Sequence, residues 1–179
     1  DDRYPLWSPD GRFLYFISNR EGHYKVFRRA VSGTRPAELV LDLGADILIW
    51  DLASDGRYLL LSLAGERTFN DLYVADLSGE EELRLLLQSD GEDAAARFSP
   101  DGRWISYWTT QSGIGQVFIA PWPGMEYTRQ VSTENGTWQF WPADSSELVF
   151  QGATGDVHAA SIATEDGRLK IGTPELLFA

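Results

Sequence analysis

The sequence has 179 residues, 43% of them hydrophobic and seven of them Trp, with 15 Lys and Arg against 27 Asp and Glu for a net charge of −12. That balance repels phosphate backbones, and Arg28-Arg29 is the only adjacent basic pair, so nucleic acid is excluded as a partner. There is no cysteine and no apolar run of about 18 residues, which excludes disulfides, thiolate chemistry, Cys-ligated metal and membrane contact through a spanning helix.

The first copy of the repeat is "WSPDGRFLYF", beginning at Trp7. Pro9 presets φ for a tight turn, Asp10 suits the next place, and Gly11 takes the left-handed position after it. This predicts a hairpin between two antiparallel strands. "HYKVFRRAV" follows as a third strand and "AELVLDL" as a fourth. The turn returns at Asp55-Gly56 ("SDGRYLLL"), followed by "DLYVADL" and "ELRLLLQ". Taken alone, "EEELRLLLQ" reads as a helix; its place in the repeat makes it a strand. The third copy centres on Asp101-Gly102, with "QVFIAPW" and "TRQVS" after it. The fourth is "WPADSSELVF", with "DVHAASI" and "PELLFA". There Ser145 stands where the other copies have Gly, so the turn is either strained or of another type.

The turn aspartates, Asp10, Asp55, Asp101 and Asp144, lie 45, 46 and 43 residues apart. Four residues after them come Leu14, Leu59, Ile105 and Leu148; six after come Phe16, Leu61, Tyr107 and Phe150. Two large apolar columns at a spacing of two mark one buried face of a strand. Four strands in units of about 45 residues indicate an all-β fold, a propeller of four-stranded antiparallel blades. The expected blades run approximately 3–44, 45–90, 91–133 and 134–179, in one propeller region. Asp10, Gly11, Asp55, Gly56, Asp101 and Gly102 are read as structural turn residues.

"WSPDGRFLYFISNREGHYKVFRRAVSG" and "FSPDGRWISYWTTQSGIGQVFIAPWPG" resemble the WD40-like (PD40) repeat of TolB-type propellers. The last third, "VFIAPWPGMEYTRQVSTENGTWQFWPADSSELVFQ" with "GTPELLF", resembles the closing blades of propellers fused to bacterial receptor-like serine/threonine kinases and to winged-helix regulators. The resemblance implies a ring of about six blades, against the four seen here. With Asp first and Met125 the only Met, the expectation is a piece of a larger propeller; a closed ring of four is the alternative. An open arc would leave an apolar face at each end, to be covered by self-association or further blades. Leu14 and Phe16 are expected at one end, and Leu148 and Phe150 at the other.

No G-x-S-x-G or H-E-x-x-H motif occurs, so no catalytic residue, metal or cofactor is assigned. His23 and His158 are placed at matching strand positions of the first and fourth blades, too few for a metal site. "SGIGQV" lacks a following helix and reads as a hairpin tip, not a phosphate loop. The remaining candidates lie on the rim: Arg20, His23, Asp46, Arg67, Asp93 and Trp138. Aromatics and arginines on a rigid rim suit a protein or peptide partner. The expected function is therefore a non-enzymatic binding or sensing module, such as the sensor part of a receptor-like kinase or regulator. The alternative is a small-molecule, sugar-binding or enzymatic propeller using its central channel, where acidic residues could also gather around a cation. Cysteine avoidance fits a periplasmic or extracytoplasmic setting; a cytoplasmic one is the alternative.

Overall fold

The structure, a computed structural model, describes all residues except 34, 65–69 and 166–167. Among the described residues every regular element is a strand. By its contacts the chain divides into two units, Asp1–Gln88 and Ser89–Ala179.

The first unit holds two sheets. β1 (Asp2–Trp7), β2 (Phe13–Ser18), β3 (Lys25–Ala30) and β4 (Glu38–Leu41) pair in that order, all antiparallel. β5 (Ile47–Leu52), β6 (Tyr58–Leu63), β7 (Asp71–Asp76) and β8 (Arg84–Leu87) do the same. β8 falls within "EEELRLLLQ". Its Leu85 and Leu87 pair with β7, and the sheet overrides the local helical preference.

The second unit repeats the plan with β9 (Asp93–Phe98), β10 (Trp104–Thr109), β11 (Gln116–Pro121) and a two-residue β12 (Arg129–Gln130). Its other sheet runs β13 (Gly136–Phe140), β14 (Glu147–Gly152), β15 (Val157–Glu165) and β16 (Arg168–Ile171). β17 (Glu175–Phe178) pairs the start of β15, while β16 pairs antiparallel with its far end. Among the described residues that added strand has no counterpart in the other three sheets, and it was not expected from the repeat.

The turns explain why the strands reverse where they do. Gly11, Gly56 and Gly102 have φ of +67°, +73° and +70°, a region that costs L residues steric strain. Each accepts the role of a turn donor: Gly11 N–H reaches Ser8 O at 2.9 Å, Gly56 N–H reaches Ala53 O at 2.8 Å, and Gly102 N–H reaches Ser99 O at 2.9 Å. The aspartates brace the turn. Asp10 Oδ1 accepts from Arg12 N–H at 3.0 Å, Asp55 Oδ1 from Arg57 N–H at 2.8 Å, and Asp101 Oδ1 from Arg103 N–H at 3.1 Å. Ser145 keeps the same turn, at φ +58°. Its Oγ accepts the Asp101 backbone N–H at 3.1 Å, so the hydroxyl ties one turn to the next in return for the strained angle.

Within each unit the two sheets meet by one rule. In the first, Tyr15, Ile17 and Val26 pack on Ile47, Ile49, Leu52, Leu59, Leu61 and Ala75. In the second, Trp104, Val117, Ile119 and Val131 pack on Leu148, Phe150, Ala160 and Ile162. In the second sheet of each unit the columns four and six after the turn aspartate therefore face the first sheet of that unit, which meets them with its intervening column. This corrects the expectation for the last sheet: Leu148 and Phe150 are 0% and 3% exposed. Because side chains alternate, its outward face carries Phe140, Val149, Val157 and Phe178 instead.

A second regularity was not legible in the repeat. The innermost strands bulge: two residues oppose one between Arg3 and Leu6, between Ala94 and Arg97, and between Thr137 and Phe140. In each the first bulged residue is left-handed, Tyr4 at φ +53°, Ala95 at +53° and Trp138 at +50°. The next sheet of the unit meets that residue with the one five before its own turn aspartate. Trp50 meets Tyr4 edge-on at 5.9 Å, and Gln139 Nε2 donates to Ala95 O at 2.5 Å.

Candidate functional site

Arg20, His23 and Asp46, three of the six rim candidates, gather around the β2–β3 connection of the first unit. Arg20 Nη2 donates to Asp2 Oδ1 at 2.9 Å and its Nε to Ser18 Oγ at 2.8 Å. Its guanidinium also lies over Phe16 and Phe27, 5.4 and 4.7 Å from the ring centres. Arg20 thus joins the rim to the side face of the first sheet. His23 Nε2 and Asp42 Oδ1 are 2.7 Å apart. Asp42 also takes Lys25 Nζ at 2.9 Å and the Gly44 N–H at 3.0 Å, and Lys25 reaches Glu21 at 3.2 Å. Lys25, then the Gly44 N–H, then His23 hold the Asp42 carboxyl well below the usual carboxylate range. The ammonium of Lys25 is raised in turn, by Asp42 first and Glu21 second.

Asp46 has a different occupation. Its Oδ1 accepts the Tyr24 N–H at 2.6 Å, and Ile47 N–H reaches Tyr24 O at 3.2 Å. These bonds fasten the loop of the first sheet to the start of β5. The result is a rigid patch of Glu21, His23, Lys25 and Asp42 on a fixed backbone. Asp42 and Lys25 were not singled out in the sequence. Their roles depend on β4 running back beside β3, and no local motif signals that.

The other candidates separate. Arg67 lies outside the described residues. Asp93 is 0% exposed, with Oδ1 taken by Ser89 Oγ at 2.8 Å, so as a rim contact it is corrected to a buried brace of β9. Trp138 is 61% exposed on the β13 bulge. His23 and His158 do not match. His23 is in the loop before β3, whereas His158 lies within β15, opposite Phe150. His158 stacks on that ring at 5.6 Å, as Phe27 stacks on Phe16 at 6.2 Å and Phe118 on Tyr107 at 5.8 Å. It fills an aromatic place of the repeat. Its Nε2 pairs with Asp156, whose carboxyl is held down to about 2 by Thr154 and His158.

Among the described residues no group of three or more His, Asp or Glu side chains is placed to hold a metal ion. A cavity of about 450 Å³ opens on the side face of the first sheet, lined by Trp7, Leu14, Phe16, Pro5 and Arg29 among others. Trp7 is 61% exposed there, whereas Trp50 and Phe98 are each 7% exposed.

Repeated four-stranded antiparallel sheets, stacked face on face within each unit and turned at Asp-Gly or, in the last, Asp-Ser, define the class: these are β-propeller blades. More particularly, the fold is that of the TolB-type propellers. TolB from Acinetobacter baumannii superimposes with a TM-score of 0.74 at 18% identity, over 97% of this chain and 44% of that one. A putative TolB from Agrobacterium tumefaciens gives 0.72 at 18% identity, over 95% and 64%. An uncharacterised protein of Agrobacterium fabrum is 28% identical over 144 residues, 79% of this chain and 47% of its own length. The chain thus spans about half the length of the relatives it matches. No family model matches it.

Proposed function

We propose that the chain is a non-enzymatic propeller module that binds a protein or peptide segment through the rim of its first unit. The observation that carries this reading is the Glu21, His23, Lys25 and Asp42 patch. Its charged groups are fixed by mutual bonds and by the Asp46–Tyr24 tie, so little side-chain freedom is left to lose on binding. Arg20 at one edge adds a planar donor. The lack of cysteine supports an extracytoplasmic setting, and a sensing role within a larger receptor or regulator fits such a module.

The channel-ligand reading has weaker support. Trp7 lies on a sheet face, and the exposure of Trp138 follows from its bulge.

Selection of displayed peptides on the folded chain tests the proposal. Peptides should be enriched whose binding falls at least roughly tenfold, about 1.4 kcal/mol, with Arg20→Ala or His23→Ala. Enriched peptides indifferent to both substitutions would sink the rim assignment.

A further inference from the structure

The rim end of the last sheet is built unlike that of the others. There, between the two innermost strands, the first three sheets pair side chains: Asp2 with Ser18, Ile47 with Leu63, and Asp93 with Thr109. The last sheet pairs Gly136 with Gly152. A Cβ on Gly152 would lie 2.6 Å from Asp156 Oδ2, so the bare strand is what admits that carboxylate. The reversal that follows is also short. Phe150 and His158 pair across it, three residues closer in sequence than Phe16 and Phe27 or Tyr107 and Phe118.

These departures accompany a cleft of about 280 Å³, lined by Glu134, Asn135, Phe150, Thr154, Asp156 and His158 among others. Phe150 belongs to the column packed on the sheet of β9–β12, and His158 lies opposite it, so the cleft is on the inward side of the last sheet. Its lining is rich in acceptors. Asp156 and Glu134 bring carboxylates, and Asn135 Oδ1 is buried with no hydrogen-bond partner. No Lys or Arg lines it. The Asp156 carboxylate is fixed by Thr154 Oγ1 at 2.6 Å, by the Thr154 N–H at 3.1 Å and by His158 Nε2, whose ring stacks on Phe150. Such a lining calls for a ligand that donates N–H bonds and carries positive charge. Among the described residues no three His, Asp or Glu side chains converge as a metal ion requires, so the lining suits an organic cation. The volume stands at the foot of the roughly 300–1,000 Å³ range of small-molecule sites, which suits one short chain.

We infer that the inward cleft of the last sheet binds an organic cation, a guanidinium or primary ammonium on a short chain, with its N–H groups toward Asp156, Glu134 and Asn135. The net charge of −12 draws such a cation toward the chain. A basic side chain of a partner and a free amine offer the same chemistry. The cleft lies in the second unit and the Glu21, His23, Lys25 and Asp42 patch in the first, so neither assignment depends on the other.

The chain has two histidines, one in each unit, which makes the test direct. The NMR signals of both imidazoles are followed at about pH 8, where an ordinary imidazole is neutral. The probes are Nα-acetylarginine methylamide and n-butylammonium, with the neutral Nα-acetylcitrulline methylamide and n-butanol beside them. The cations should move the His158 signals saturably, with half-saturation below about 10 mM, while those of His23 stay in place. Whichever cation binds more tightly marks the source, a basic side chain or a free amine. Glu134→Gln, at an exposed position, and Asp156→Asn should each weaken binding at least roughly threefold. The absence of a saturable His158 shift with either cation would overturn the inference. So would neutral probes that act as the cations do, or binding that either variant leaves unchanged. The peptide selection with Arg20→Ala and His23→Ala reads the other site, so the two failures are told apart.

Discussion

The first and second sheets carry the same pattern and meet different fates. Leu14 and Phe16 of the first occupy the places of Leu59 and Leu61 in the second. Leu59 and Leu61 are 0% exposed, whereas Leu14 and Phe16 line an open cavity. The turns hardly differ, with φ +67° at Gly11 and +73° at Gly56. A repeat therefore specifies which residues can be buried, and the neighbour decides whether they are. The second sheet also has a clamp that the first lacks. Arg57 Nη2 reaches Asp76 Oδ2 at 2.8 Å and its Nε reaches Asp76 Oδ1 at 3.1 Å. Asp76 pairs Tyr58 across the strands; in the first sheet the matching partner of Phe13 is Ala30.

The largest effect should come from truncating the shared column. Leu61→Ala should cost about 2–5 kcal/mol in urea unfolding, and Leu14→Ala less than about 1 kcal/mol at concentrations where the chain is monomeric. Equal costs would mean that the first sheet is as well covered as the second. Next come the turns, where the two sheets should behave alike. Gly11→Val and Gly56→Val should each cost about 1–3 kcal/mol, because a β-branched residue resists positive φ. A marked inequality would show that the difference between the sheets reaches into the turn.

The clamp gives a smaller effect, visible in acid. Arg57 first, and then Ser78, hold the Asp76 carboxyl below its ordinary value of 3.8. A depressed carboxylate stabilises the fold above its unfolded value, and that contribution disappears as pH falls through the folded one. Thermal melts of the unaltered chain should therefore lose stability below about pH 4, and Asp76→Asn should flatten that part of the curve. An unchanged acid limb in Asp76→Asn would dismiss the clamp. The smallest effect concerns the turn that departs from glycine. Ser145→Gly should change stability by less than about 0.5 kcal/mol, since relief at φ +58° offsets the lost acceptor for Asp101 N–H. Ser145→Ala keeps the strain and loses the bond, and should cost about 1 kcal/mol.

How much of this was legible follows from the range of the interactions. The turns at Asp10, Asp55 and Asp101 and the paired apolar columns are local chemistry, and the sequence displays them. The bulges at Tyr4, Ala95 and Trp138 leave no such mark, because Tyr, Ala and Trp share no property that favours positive φ. Nor does the fate of a column appear in the column itself. Leu148 and Phe150 looked like an end face, and only the direction of stacking shows that they point inward. On the candidate site, Arg20 and His23 stood out as polar residues in a predicted loop. Asp42, which holds His23 and Lys25, became visible only when β4 returned beside β3. Asp93 carried the same charge signal as a surface acid, yet it is buried against Ser89.

The alternation of columns between its two faces makes a sheet directional, like a tile with a tongue on one side and a groove on the other. A strand that slips by a single residue exchanges the two, so a mis-registered sheet presents a tongue where its neighbour also has one. Assembly then stops at the error and does not propagate it. The left-handed residue of each hairpin, Gly11, Gly56, Gly102 and Ser145, sets that parity before any two sheets meet.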